Sequence, residues 1–289
     1  MKFGLAFASS VGTDPESALE ISRVAESVGF ESIWGGEHVV RPSAIQSPYP
    51  YTENGQMPGE AETPIPDPLI WLAYVAAAAP TLRLGTCILI LPQRNPVVLA
   101  KELATLDHLS GGRLELGIGV GWMKEEFDAI GVPWRRRGAR TDEYIAAMRA
   151  LWSGPHAEFR GEFTDFDAAT CSPRPVRGRV PITVGGDTRA AVQRAARHAD
   201  GYFPGTTDPA ELGRLVREVA DAATGHGRDA GDVPVSAIFG AQMAEPVAGA
   251  EQLAELGVSR AMVPAFFFAG PGGLDRLAEF GQTVVAPHA

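Results

Sequence analysis

Cysteine is scarce in these 289 residues: Cys87 and Cys171 are the two present, too few and too far apart for a disulfide framework. They fit a reducing, cytoplasmic setting. Long apolar runs are missing as well. Those near residues 71–79 and 87–91 fall well short of the ~20 residues that span a bilayer. Positive charge is in short supply. The 25 lysines and arginines face 35 aspartates and glutamates, for a formal net charge of −10. That balance argues against nucleic acid and against an anionic membrane surface as partners. The six histidines show neither H-x-x-x-H nor H-x-x-E-H spacing, so no metal site is expected. No G-x-S-x-G nucleophile elbow occurs. The run Gly117 to Trp122 ends on tryptophan where a dinucleotide fingerprint needs its third glycine, and no helix start follows directly.

What the chain has in quantity is alternation. Residues 82–91 form an apolar run rich in Leu and Ile, as in a strand covered on both faces. Asn95-Pro96 then gives a helix start, with Asn as the cap and Pro where a missing N–H costs nothing. Val97, Ala100, Leu103 and Ala104 keep one helical face apolar, Ser110-Gly111-Gly112 stops it, and residues 114–118 form a second buried strand. Two buried strands joined through a helix make a parallel βαβ unit.

The same rhythm covers the rest. A first strand at 3–8, too short and too soon followed by Asp14-Pro15-Glu16 for a signal peptide, precedes a helix with Ile21, Val24, Ala25 and Val28 on one face. Further strands are expected at 32–34, 181–184, 201–203, 235–239 and 261–263, each followed by a helix. The Asx-Pro start recurs at Asp14, Asp67, Asn95 and Asp208. Eight strands and eight helices in this length predict one α/β domain over residues 1–289, a closed (β/α)8 TIM barrel. Two excursions interrupt it: a long loop at 36–66, and residues 154–180, whose Phe159, Phe163 and Phe166 predict a small hairpin. Residues 121–138 are expected to be irregular.

A barrel of this kind carries its chemistry on the loops after the strands. Glu37 and His38 follow the second strand, and His38 is the natural acid–base candidate, a role that position alone balances evenly against a plain loop histidine. Gly185-Gly186-Asp187-Thr188 lies between a strand and a helix, where freed amides and the helix end can form a phosphate site, or a simple glycine turn. Arg135, Arg136, Arg137 and Arg140 form a basic cluster, read either as a clamp on an anionic ligand or as a surface paired with Glu125, Glu126 and Asp142. Trp122, Trp134, Tyr49 and Tyr51 are candidates to wall a flat ligand.

Taken together, Glu37-His38, LGTCILILPQRNP (84–96), LDHLSGGRLELGIGVGW (106–122), RTDEYIAAMRALWSG (140–154), PITVGGDT (181–188) and ARHADGYFP (196–204) carry a resemblance. The chain resembles the luciferase-like monooxygenase superfamily, in particular its deazaflavin-dependent oxidoreductases. The resemblance implies a homodimer and hydride transfer between coenzyme F420 and a small organic substrate. Its alternative is an FMN-dependent monooxygenase fed by a separate reductase; a third reading is a flavin-binding protein without activity. It further implies a non-proline cis peptide at Cys87–Ile88 against the cofactor ring, a phosphate loop at Gly185, Gly186, Asp187 and Thr188 with Thr206 as a second contact, and His38 as the active-site histidine. Glu37 and Trp122 would face the substrate. Deazaflavin sugar-phosphate dehydrogenases carry a Glu where this chain has Trp122, which implies a flatter, more apolar substrate.

Overall fold

The computed structural model describes residues 1–288. In chain order its strands are β1 (Lys2–Ala6), β2 (Ser32–Gly35), β3 (Arg83–Thr86), β4 (Leu89–Ile90) and β5 (Leu114–Gly119), then β6 (Ala157–Arg160) and β7 (Asp165–Ala169), and finally β8 (Ile182–Gly185), β9 (Gly201–Phe203), β10 (Val235–Ile238) and β11 (Val258–Pro264). The helices are α1 (Pro15–Ser27), α2 (Pro68–Val75), α3 (Pro96–Leu109), α4 (Lys124–Ala129), α5 (Arg137–Ser153), α6 (Arg189–His198), α7 (Pro209–Gly225), α8 (Pro246–Glu255) and α9 (Gly273–Phe280).

The wall runs β3-β2-β1-β11-β10-β9-β8-β5, all parallel, and a β3–β5 pairing closes it into an eight-stranded (β/α)8 barrel. β4 continues the line of β3 after a break at residues 87–88 and pairs with the far end of β5. The apolar run over 82–91 is therefore two pieces, and the non-proline cis peptide implied by the resemblance lies at the break, between Cys87 and Ile88. β6 and β7 form a separate antiparallel hairpin, with Phe159 stacked on Phe166 at 5.9 Å between ring centroids. The stretch expected to be irregular contains α4. Its cap residue, Met123, offers no side-chain hydrogen bond, so the sequence carries no start signal there.

The four Asx-Pro sites cap as their chemistry dictates. Asp14, Asp67, Asn95 and Asp208 each accept hydrogen bonds from backbone amides of the first helical turn, each cap being worth about 1 kcal/mol. Among the described residues no helix is long and apolar enough to cross a membrane.

Apolar side chains fill two shells. The larger lies between the barrel and its helices; the smaller, inside the barrel, gathers Ala6, Trp34, Cys87, Phe203 and Met262 with Phe7, Ile88 and Ile238 packed on it. Trp34 fits because β3 carries Gly85, where a Cβ would stand 2.1 Å from the indole. The N-terminal end of the barrel is closed by charge. Glu115 on β5 accepts from Arg260 Nη1 (3.0 Å) and Nη2 (3.1 Å) and from Thr183 Oγ1 (2.8 Å), while Arg260 also reaches Glu31. Burial pushes the Glu115 carboxyl up, but the Arg260 guanidinium beside it outweighs that and holds it below the usual range. This charged end lies opposite the C-terminal mouth, where a barrel of this kind carries its chemistry.

Candidate active site

The mouth is built around the cis bulge. Glycines on the neighbouring strand make room for it: a Cβ on Gly117 would lie 1.9 Å from the Thr86 carbonyl oxygen, and one on Gly119 would lie 2.0 Å from Ile88 Cδ1. Thr86 Oγ1 donates to the Gly117 carbonyl at 2.7 Å and ties the two strands together. The G-I-G run therefore serves close packing of β5 against the bulge, in keeping with small residues where two backbones converge.

His38 stands at the mouth with Nδ1 3.1 Å from Glu126 Oε2. Glu126 is buried, and its other oxygen accepts from the Val39 amide at 2.6 Å. Burial pushes the Glu126 carboxyl up, yet the hydrogen bond and charge of His38 and the Val39 amide prevail and hold it below the usual range. An ionised carboxylate only accepts, so the imidazole keeps its proton on Nδ1 and leaves Nε2 free for a reacting group. Trp122 stands edge-on to His38 at 6.1 Å, and Tyr49 lies edge-on to Trp122 at 5.1 Å.

Glu37, the other half of the sequence pair, is spent in the wall. It accepts from the Ile90 amide (2.5 Å) and from Arg94 Nε (2.9 Å), and Arg94 in turn bonds Asp67, the cap of α2. Both its oxygens are engaged, which leaves Glu37 a positioning residue rather than a substrate contact. It fixes the segment just beyond the bulge.

The phosphate-loop candidates occupy the opposite side. Gly186 takes φ +109°, reachable without strain only by glycine, and Thr188 Oγ1 caps α6 by accepting from Ala191. Asp187 accepts from the Gly205 amide at 2.6 Å and so joins the β8 and β9 loops; burial raises its carboxyl, and the Gly205 and Thr206 amides pull part of the way back. Thr206 Oγ1 accepts from Asp208 at 3.2 Å. Tyr51 reaches these loops from the 36–66 excursion: a Cβ on Gly205 would meet its ring at 2.1 Å. Burial, then the Asp187 charge, push its phenol up to about 12.

The excursion thus spans the mouth, and α4 latches it. Glu125 accepts from the Gln46 and Ser47 amides at 2.9 and 3.1 Å while its neighbour Glu126 holds His38 and Val39. Partial burial raises the Glu125 carboxyl, but its own amide and those of Gln46 and Ser47 hold it down at about 2. A depressed carboxyl stabilises the latched form above the ordinary carboxylate range near 4, and the effect is lost as pH falls toward 2. Hydrogen-exchange protection of the Val39, Gln46 and Ser47 amides should therefore drop selectively between about pH 4 and 2. Protection unchanged at pH 2.5 would refute the latch.

The arginine cluster is mostly occupied, and not by the partners expected. Arg136 pairs with Glu162, and Arg140 is buried and donates to the carbonyls of Pro133 (2.8 Å) and Arg135 (3.3 Å). The Arg137 guanidinium lies 3.6 Å over the Trp134 ring. Glu125 and Glu126 face the loop, and Asp142 pairs with Arg194. Arg136, Arg137 and Arg140 organise the start of α5, which leaves only the exposed Arg135 of the cluster without a side-chain partner among the described residues. Glu126 and α4 are what the sequence did not reveal, since two adjacent acids on an uncapped turn look like solvated surface. Among the described residues no group of three or more acidic, Cys or His side chains could hold a metal.

The chain is 36% identical over 233 residues to an uncharacterized protein of Mycobacterium bovis, covering 79% of this chain and 80% of that one. It is 38% identical over 156 residues to an FMNH(2)-dependent dimethylsulfone monooxygenase of Pseudomonas fluorescens, covering 52% of this chain and 43% of that protein. The coenzyme F420-dependent tetrahydromethanopterin reductase of Methanopyrus kandleri superposes with a TM-score of 0.77 at 20% identity, over 99% of each chain. The family profile described as luciferase-like monooxygenase matches residues 1–280, and the chain belongs to that family.

Proposed function

We propose that the protein is an oxidoreductase that moves a hydride between coenzyme F420 and a small, uncharged organic substrate. The observation that carries this reading is the His38–Glu126 pair set beside the apolar bulge at Cys87–Ile88. The residues present fit a flat ring with a phosphate: Ile88, Phe203 and Ile238 offer an apolar floor on which Gly185 packs closely, and Gly186 leaves open backbone before the capped end of α6. Cys87, Ile88, Gly185, Gly186, Asp187, Thr188 and Thr206 would hold the cofactor, Asp187 by keeping the two loops together. The bound deazaflavin supplies a hydride and no oxygen activation. His38 Nε2 then passes or accepts the accompanying proton, while Glu126 fixes the ring and offsets the charge of the imidazolium. Trp122 and Tyr49 exclude water from that nitrogen. Cys87 and Cys171 are buried free thiols, in keeping with a cytoplasmic enzyme, and we take it to act as a homodimer.

A second reading, an FMN-dependent monooxygenase supplied by a separate reductase, is favoured by the relative from Pseudomonas fluorescens. It also gains from the engagement of Arg136 and Arg140, which removes much of the positive path a polyglutamate tail could follow. Fluorescence titration separates the two. F420 is expected to bind more tightly than FMN, with a preference that weakens little with salt because Arg136 and Arg140 are already engaged. Tighter FMN binding at low and high salt alike would replace the first reading by the second.

A further inference from the structure

On the side of the mouth formed by β11 and β1, three phenylalanines stand in sequence positions that the functional reading leaves unused. Phe266 and Phe267 follow β11 and are 57% and 37% exposed. Phe7 follows β1 and adopts a left-handed backbone (φ 56°, ψ 27°), uncommon for so bulky a residue. Register puts Ala6 beside Pro264, so the two chain segments leave the barrel side by side. Phe7 stacks on Phe266 at 6.4 Å between centroids with 21° between planes, and Phe266 meets Phe267 at 4.9 Å.

The two exposed rings are held out by a rigid support. Phe268, next in sequence, is buried against Phe280. A Cβ on Gly273 would lie 1.9 Å from the Phe268 carbonyl oxygen, which shows how tightly the segment sits on α9. Arg276 closes it from outside through the carbonyls of Ala269 (2.8 Å) and Pro271 (3.0 Å). At its inner end the row joins the site. Phe7 packs on the cluster that contains Cys87 and Ile88, and it is the nearest contact of a Cβ placed on Gly36, two residues before His38.

From this continuity we infer that Phe7, Phe266 and Phe267 form the substrate-side wall of the active site and determine specificity for an uncharged, apolar small molecule. The inference rests on the reading of the mouth as an oxidoreductase site. A protein partner is a poorer occupant. The two rings together expose roughly 200 Å², against about 800 Å² per partner in a stable interface. A charged substrate is poorer still, since a wall of three phenyl rings offers no hydrogen-bond donor or acceptor.

A homologous series of 2-alkanones from four to ten carbons, titrated against cofactor-loaded protein by equilibrium dialysis, tests this. In the wild type each added methylene should tighten Kd about 3- to 4-fold. In the double variant Phe266→Ser, Phe267→Ser the gain should fall below about 1.5-fold per methylene, with cofactor affinity within twofold of wild type. The conservative Phe266→Leu should keep most of the wild-type gain. An equal gain per methylene in the double variant overturns the proposal. So does a double variant whose only change is a lower assembly mass by sedimentation, which would make the rings a protein contact. Should no flavin or deazaflavin bind at all, the functional reading fails separately. The alkanone series on cofactor-free protein then still reports whether the wall binds.

Discussion

Asparagine at position 38 should lower turnover by about 10²-fold or more while leaving cofactor affinity nearly unchanged. The amide of asparagine can still face Glu126, so the loop and its latch persist. What is lost is Nε2, the only nitrogen of that pair left free of a protein partner in the present geometry. The proposed cofactor cradle, at Gly185–Gly186 and Thr188 across the mouth, is out of His38's immediate contacts and should not register the change. Glu126→Gln makes a useful companion. It keeps the volume but removes the charge that offsets a protonated imidazole, so its pH–rate profile should shift while the His38 variant's flattens. Wild-type turnover in His38→Asn would reduce the histidine to a loop anchor.

Glu115→Ala should be strongly destabilising, at about 3–5 kcal/mol, because it removes the buried carboxylate that pairs with Arg260 inside the barrel. Glu115 and Arg260 are 7% and 9% exposed and share two hydrogen bonds. Without Glu115, Arg260 keeps Glu31 as a partner but loses the one inside the barrel, and Thr183 loses its acceptor. Glu115→Gln, which retains an acceptor, should cost less. Urea unfolding with an unchanged m-value measures the difference. A loss under about 1 kcal/mol in the alanine variant would show that water reaches the plug and solvates Arg260. Turnover at temperatures where the variant is folded should be normal, since the plug and the mouth lie at opposite ends.

The alternation of buried strands with capped helices was legible because each cap is a local event. Asp or Asn before Pro states where a helix begins whatever surrounds it, and all four such sites behave accordingly. Glycines 117 and 119 were visible but not their partner, since steric need is a property of two strands and the sequence shows one. The site was legible in part. His38 could be picked out by position, but Glu126 lies 88 residues away on a turn with no signal of its own. The arginines misled for a related reason. A run of like charges reads as a free patch until tertiary structure supplies Glu162, Trp134 and a set of backbone carbonyls to engage them. Glu37 shows the same limit, because nothing local indicates that Arg94 will claim it.

The placement of Glu125 and Glu126 side by side on α4 has a bearing on attempts to rebuild the enzyme. One residue holds the loop over the mouth and the next holds the histidine, so a rotation of this six-residue turn disturbs the two together. An engineer who replaces residues 36–66 with the equivalent segment of a relative transplants only half of a matched set. The incoming loop would meet two carboxylates placed for amides it does not present, and His38 would lose its orientation with it. Segment exchange in this scaffold should therefore move residues 36–66 and 123–131 as one unit, even though some sixty residues of barrel wall separate them in the chain.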